Sequence, residues 1–247
     1  MSERIAIVMA AGKGTRMKSE LPKVLFPVLG RPMIHYALDV LEAAGIDRII
    51  VVVGYRAEDV KQELAGRHRI SFALQAEQLG TGHAVMMCRD YLQGHEGPVL
   101  IVAGDSPMMQ SKSISALFAE YDRDHPACIL GTGYKENPMG LGRIVRDANR
   151  AFVGIVEEKD ATPEQKRINE VNLSTYIFNG PDLLEVLSQI KADNAQREYY
   201  LTDCPGTLLQ AGKTVKALDV LEPCESISIN NVEELKEVEK EMLRMRS

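Results

Sequence analysis

Six consecutive apolar residues, Ile5 to Ala10, run without a polar interruption into Ala11-Gly12-Lys13-Gly14-Thr15-Arg16. A strand with no polar alternation is covered on both faces, as in the parallel sheets of α/β proteins. The small residues and cations that follow at once are what is expected where such a strand ends in a phosphate-binding turn. Ala10, Ala11, Gly12 and Gly14 carry no side chain large enough to hold a ligand away from the backbone, and Lys13, Arg16 and Lys23 supply countercharge. The stretch is therefore read as a nucleotide site, although taken alone it is also compatible with a basic surface loop. Neither common glycine-rich fingerprint fits. Gly12-Lys13-Gly14-Thr15 lacks the Walker A spacing, and the third glycine of a dinucleotide fingerprint is missing, with Pro22 following soon after.

Further apolar segments repeat the theme. The spacing predicts helices over 32–44, 58–64 and 82–92, alternating with strands over 48–53, 70–74 and 99–102. Strand and helix in alternation imply a Rossmann-like parallel sheet with helices on both faces, whose ligands lie beyond the carboxyl ends of the strands. Past Pro126 the character changes. Strand-like segments over 127–131, 142–146, 151–156 and 171–178 are separated by Gly, Pro, Asn and Asp, which predicts a mixed sheet with a smaller antiparallel lobe forming a second wall. Helices are expected over 180–190 and 199–211, and a strand-like piece over 227–229. The organisation is then one domain, 1–230, with a nucleotide-binding half (1–125) and a sugar-binding half (126–230), followed by a helix over 231–247. That helix opens on a capping box at Asn231-Val232-Glu233-Glu234. It carries a stripe of Val232, Leu235, Val238, Met242 and Met245, suited to packing on its own domain or, in a homo-oligomer, on a partner.

Composition narrows the function. A chain of 247 residues with 45% hydrophobic content can bury a full core, and its net charge of −6 argues against nucleic acid as a partner. Cys88, Cys128, Cys204 and Cys224 show no C-x-x-C pair, so neither a zinc site nor a disulfide framework is indicated, which suits a cytoplasmic location. No apolar run of about 18 residues and no signal-peptide pattern occurs, and no membrane association is expected. His35, His68, His83, His95 and His125 share no ligand spacing and are assigned to packing or surface.

Several positions carry chemistry. Gln75 follows a strand and has an amide able to pair with the edge of a base, beside Gly80-Thr81-Gly82; Thr81 is equally suited to capping the next helix. Asp105, directly past the apolar strand 99–102, could hold Mg²⁺ with waters and substrate phosphates, or cap a turn. Asn230 is a second candidate oxygen ligand. Gly142, Glu157, Asn172, Tyr200 and Thr202 offer neutral and acidic partners for sugar hydroxyls, though each alone is ordinary loop chemistry.

Together these motifs resemble the sugar-nucleotide pyrophosphorylases, a nucleotidyltransferase family of GT-A-like fold. The likeness is closest to the uridylyltransferase half of the bifunctional bacterial enzyme that makes UDP-N-acetylglucosamine. The resemblance rests on Ala-Ala-Gly-Lys-Gly-Thr-Arg-Met, Leu-Pro-Lys, Leu-Gln-Ala-Glu-Gln-Leu-Gly-Thr-Gly-His-Ala, Gly-Asp, Val-Glu-Glu-Lys-Asp-Ala-Thr, Glu-Tyr-Tyr-Leu-Thr-Asp and Asn-Asn, in that order. It implies UTP and a sugar-1-phosphate as substrates. Ala11, Gly12, Gln75, Gly80 and Thr81 would hold uridine, Arg16 and Lys23 the phosphates as the catalytic pair, and Asp105 with Asn230 would hold Mg²⁺. Gly142, Glu157, Asn172 and Thr202 would hold the sugar. Ala103 stands where relatives usually have tyrosine, Leu141 likewise, and Leu173-Ser174 replaces a Thr/Ser-Gly pair, so glucose-1-phosphate or another hexose phosphate is an alternative acceptor. A regulatory nucleotide-sugar-binding subunit is a further alternative. The hexapeptide repeats of the acetyltransferase half are missing from the sequence, so no acetyltransferase activity is expected.

Overall fold

A computed structural model describes residues 2–14, 19–227, 229 and 231–246. The chain begins with β1 (Ile5–Ala10), followed by a 3-10 turn at Lys23–Leu25 and two short strands, β2 (Pro27–Val28) and β3 (Arg31–Pro32), paired as an antiparallel ribbon. Then come α1 (Met33–Ala43), β4 (Arg48–Val53), α2 (Ala57–Glu63), β5 (Ile70–Leu74), α3 (Thr81–Met86), β6 (Pro98–Ala103) and α4 (Ser111–Asp124). The second half runs β7 (Cys128–Tyr134), β8 (Arg143–Arg146), β9 (Phe152–Val156), β10 (Glu170–Asn179), α5 (Gly180–Leu187), α6 (Asp203–Gln210), β11 (Val215–Asp219) and α7 (Val232–Arg246).

Among the described residues the main sheet follows the order β11-β7-β10-β6-β1-β4-β5, with β8 on β10 and β9 on β8. Strands β6, β1, β4 and β5 are mutually parallel, whereas β10 runs against both β6 and β7. The expected mixed sheet with an antiparallel lobe is therefore present, and reversed β10 is its seam. Because β10 is reversed, its first residues reach the same edge at which β1, β5 and β6 end. The loops after 10, 74 and 103 and the start of β10 thus converge there.

Alternation along the apolar strands divides the core into two layers. Ile5, Ile7, Ile50, Val52, Val99 and Ile101 pack with Val85 of α3, Leu183 and Val186 of α5, and Cys204 and Leu208 of α6. Ala6, Val8, Val51, Val53, Leu100 and Val102 pack with Ile34, Leu38 and Leu41 of α1, Val60 of α2, and Ile114, Leu117 and Phe118 of α4. Residues 5–8 are wholly inaccessible, so the polar-free run reflects a strand sandwiched between helices. A third, smaller cluster of Val28, Met33, Met108, Ile229, Val238 and Met242 seats α7 on its own chain. Asn231 caps α7, its Oδ1 accepting the Glu234 N–H at 2.8 Å.

Local structure departs from expectation in four places. The helix expected over 82–92 ends at Met86, and a 3-10 turn covers Arg89–Leu92; both pieces bury the same side through Val85, Cys88 and Leu92. The helix expected from Tyr199 starts only at Asp203, because the backbone of Tyr199 and Leu201 is engaged across the cleft, as described below. Ile227 and Ile229 belong to no strand; their apolar character serves the cluster beneath α7. The short strands β2 and β3, α4 and the edge strand β11, which pairs in parallel with β7, lie outside the expectation altogether.

Candidate active site

The convergent loops enclose a cleft of about 310 Å³. Met9, Val24, Ala84 and Ala103 supply apolar lining, Ala10, Ala11 and Gly12 one small-residue wall, and Gln75, Gln78, Gly80 and Thr81 the opposite loop. Lys23, Asp105, Ser174 and Glu198 complete the lining. Of the first-half positions singled out in the sequence, Ala10, Ala11, Gly12, Lys23, Gln75, Gly80, Thr81 and Asp105 are brought together, whereas Gly14 and Lys13 are not part of the lining; Arg16, and Asn230 from the second half, lie outside the described residues. Gly14 sits just behind the lining, at φ +67°, and a Cβ there would lie 2.7 Å from Lys23 Cβ, so glycine lets the Lys23 backbone pass close. Lys13 turns aside, its Nζ 5.1 Å from the centre of the Tyr55 ring.

Lys23 Nζ and Asp105 Oδ2 are 2.6 Å apart, both side chains partly accessible. The pair is half-buried and lines the cleft, where an incoming polyphosphate and its counterion would compete for both groups. Among the described residues no three His, Cys, Asp or Glu converge on one point. One carboxylate at a strand end, facing an open cleft, does fit a hard cation that retains water and phosphate ligands.

The loops of the two halves are clasped through backbone groups. Gly82 N–H donates to Tyr199 O at 2.7 Å, Tyr199 N–H to Leu79 O at 2.8 Å, and Leu201 N–H to Thr81 Oγ1 at 3.0 Å. Thr81 therefore does not cap α3, whose N-cap is Gly80; its hydroxyl receives the other half of the molecule. A Cβ on Gly80, at φ +105°, would lie 2.6 Å from Tyr199 O, and one on Gly82 2.9 Å from the same atom. The approach these glycines permit is thus between two segments of chain.

Four of the sugar-site candidates adjoin one another. Thr202 Oγ1 donates to Glu157 Oε1 at 2.9 Å, Asn172 N–H donates to Gly142 O at 2.9 Å, and a Cβ on Gly142 would lie 3.6 Å from both Asn172 Cβ and Glu157 Oε1. Burial raises the Glu157 carboxyl above the usual range, and Asp160 and Glu198 add to the rise, while the Thr202 hydroxyl lowers it. Next in the chain, Asp203 is pushed up to about 6 by burial, then by Glu157, Asp193 and Asp160. Tyr200 is turned into the wall, its hydroxyl accepting from Gln196 Nε2 at 2.8 Å. Ser174 sits in a bulge where β10 and β7 fall out of register, between Asn172 and Tyr176, and takes φ +55°. That left-handed conformation explains why a glycine suits the position in relatives, and it turns a hydroxyl-bearing residue into the lining.

Gln78, Ser174 and Glu198 were not singled out as candidates by sequence reasoning. Gln78 and Glu198 lie inside motifs that had been noticed, so their proximity to Gln75 and Thr202 was the available signal. Ser174 is marked in the sequence only by the Leu173-Ser174 departure from the Thr/Ser-Gly pair of the resembled family. His83, assigned to packing or surface, instead contacts Gln75, its Nδ1 3.2 Å from Gln75 Nε2.

A lysine–carboxylate pair beside the ends of parallel strands, a buried amide and small-residue loops in one cleft are the setting in which the chain meets a known family. The family model for nucleotidyl transferases matches residues 5–221, and the chain belongs to that family. Such enzymes typically use a divalent metal. The chain is 44% identical to the bifunctional protein GlmU of Pelotomaculum thermopropionicum over 97% of its own length and 52% of the relative's. It is 45% identical to GlmU of Limosilactobacillus reuteri over 94% and 50%. The chain therefore spans about half the length of these curated relatives. A crystal structure of UDP-glucose pyrophosphorylase complexed with UDP-glucose superposes with a TM-score of 0.79 over the whole of both chains at 20% identity, which bears on the fold. Among the described residues no helix is long and apolar enough to cross a membrane.

Proposed function

We propose that the chain transfers the uridylyl group of UTP to N-acetylglucosamine-1-phosphate, forming UDP-N-acetylglucosamine and pyrophosphate. The observation that carries this reading is the Lys23–Asp105 pair, with Asp105 just past the end of β6, in one cleft with Gln75 and the small residues that follow β1. The likeness to the bifunctional GlmU proteins, together with the motifs that resemble the uridylyltransferase half of the UDP-N-acetylglucosamine-forming enzyme, supports the same assignment.

In the proposed reaction an oxygen of the sugar phosphate attacks the α-phosphorus of UTP in line. The new P–O bond forms as the bond to the β-phosphate oxygen breaks, and pyrophosphate leaves. A phosphate monoester with its second pKa near about 6 is largely ionised at neutral pH, so the nucleophile needs no general base. Lys23 exchanges Asp105 for phosphate oxygens and neutralises charge at the reacting centre, with Arg16 assigned to the leaving pyrophosphate. Mg²⁺, held by Asp105 and Asn230, would supply further charge neutralisation and alignment when bound. Glu157, and the Thr202 oxygen whose proton Glu157 receives, are assigned to accept from sugar hydroxyls, and Asn172 to the acetamido or neighbouring groups.

Pyrophosphate release by the purified protein with UTP and Mg²⁺ tests the proposal, with N-acetylglucosamine-1-phosphate and glucose-1-phosphate compared and metal omitted as control. Metal-dependent release favouring the acetylated sugar is expected. Release favouring another hexose phosphate keeps the chemistry and changes the acceptor, an outcome to which Ala103, Leu141 and Leu173-Ser174 give a structural basis. Nucleotide-sugar binding without release under any condition would sink the enzymatic reading in favour of a regulatory subunit.

A further inference from the structure

The amide of Gln75 is held from two directions. Its Nε2 donates to the Gly80 carbonyl oxygen at 3.0 Å and lies 3.2 Å from His83 Nδ1. A carbonyl oxygen only accepts, so the amino end of the amide is the end that faces Gly80. That nitrogen in turn only donates, so Nδ1 is the accepting nitrogen of His83 and the imidazole proton sits on Nε2. Both amide protons are then used. Gln75 is 3% exposed, yet Oε1 is not one of the fully buried side-chain atoms left without a partner, which among the described residues are Arg48 Nε and Arg143 Nε. No described group donates to it, and it keeps contact with the cleft that Gln75 lines.

We propose that His83 is a positioning residue for base selection. By accepting from Gln75 Nε2 it holds Oε1 toward the cleft, so that the site presents a hydrogen-bond acceptor to the base. A pyrimidine whose N3 carries a proton satisfies that acceptor; one whose N3 is a lone pair meets it with a second acceptor and leaves both unpaired. Turning the amide over would set Oε1 against Gly80 O and Nδ1 at once. His83, in the tautomer that accepts through Nδ1, adds to the resistance that Gly80 O offers to a rotation that would reverse the preference. It sits in the first turn of α3, its ring 6.3 Å from that of Tyr199, whose backbone is clasped to Leu79 and Gly82. The inference rests on the proposed nucleotide site.

The test is calorimetric binding of UTP and CTP, at matched Mg²⁺, to the wild type, His83→Leu, His83→Asn and Gln75→Leu. The wild type is expected to favour UTP by about tenfold or more, with the ratio falling about threefold to tenfold in His83→Leu, the loss of one hydrogen bond. His83→Asn, whose Oδ1 falls near the position of Nδ1, should restore it. Should the Leu variant melt below the wild type, His83→Gln, which carries its acceptor one bond further out, serves as the loss variant. An unchanged ratio in the loss variant overturns the proposal, and so do equal losses in the loss and Asn variants, which would mean packing. Gln75→Leu separates the two levels: a wild-type ratio there removes the nucleotide reading itself, whereas a lost ratio with His83→Leu unaffected removes only the role of His83.

Discussion

On the first-half side of the cleft, small residues at the ends of parallel strands leave room around Lys23, whose partner Asp105 is accessible and exchangeable. In the second half, behind the cleft lining, Glu157 is half-buried with a raised carboxyl, Asp203 is pushed up to about 6, and Asn172 and Thr202 are each 5% exposed. One region pairs its carboxylate directly with a lysine; the other sets acids chiefly beside other acids. Under the proposed function the contrast has a physical origin. Polyphosphate brings its own negative charge and needs cations that can leave their resting partners. Sugar hydroxyls are neutral and need fixed acceptors, and fixing a carboxylate by burial strains its ionised form.

The comparison breaks most readily at Lys23. Lys23→Ala is expected to lower kcat about 100-fold, the scale of one lost transition-state contact, with a much smaller change in UTP affinity. Steady-state kinetics alongside UTP titration would show the split; unchanged turnover would remove Lys23 from the chemistry and with it the idea of an exchangeable pair. The clasp joining the walls is tested by Gly80→Ala, which places a Cβ 2.6 Å from Tyr199 O in a left-handed conformation. A destabilisation of about 2 kcal/mol, or about 4–8 °C in Tm, is expected. A Tm equal to the wild type would mean the two loops separate freely.

The smallest effect sharpens the second-half side. Because the Asp203 carboxyl titrates near 6 in the folded state against 3.8 as its ordinary value, the folded chain holds a proton that the unfolded chain has already released between those values. Stability therefore falls as pH rises from about 4 to about 6, and the deficit is fully present at pH 7. Asp203→Asn removes it. Since the carboxylate is only half-buried and lies in the first turn of α6, where a negative charge is favoured, the gain is about 1 kcal/mol at pH 7. That is about 2–4 °C in Tm, vanishing near pH 4. Melting curves of both proteins at the two pH values decide it, and a gain equally large at pH 4 would show that charge is not the cause.

The apolar runs at 5–10, 48–53 and 98–103 read directly as covered strands, because uninterrupted burial on two faces leaves a local mark that needs no knowledge of neighbours. The amphipathic periods of α1 and α7 and the glycine-rich turns were legible for the same reason. Periodicity could also have revealed α4, whose Ile114, Leu117, Phe118 and Tyr121 follow helical spacing. β11 left a weaker trace, since no residue of that edge strand is fully buried.

The composition and order of the motifs by themselves determined that a glycine-rich strand-end loop, a strand-end carboxylate and a set of loop acids and amides share one α/β chain. Only the tertiary structure decided the partners: Lys23 with Asp105, Thr81 with Leu201, His83 with Gln75, and the bulge that turns Ser174 into the lining. It also decided that Tyr200 faces Gln196. Burial and propensity are recorded residue by residue along a chain. Which polar groups meet depends on strand order and register, set by reversed β10 and by the packing of both helical layers, and no local stretch of sequence contains that information.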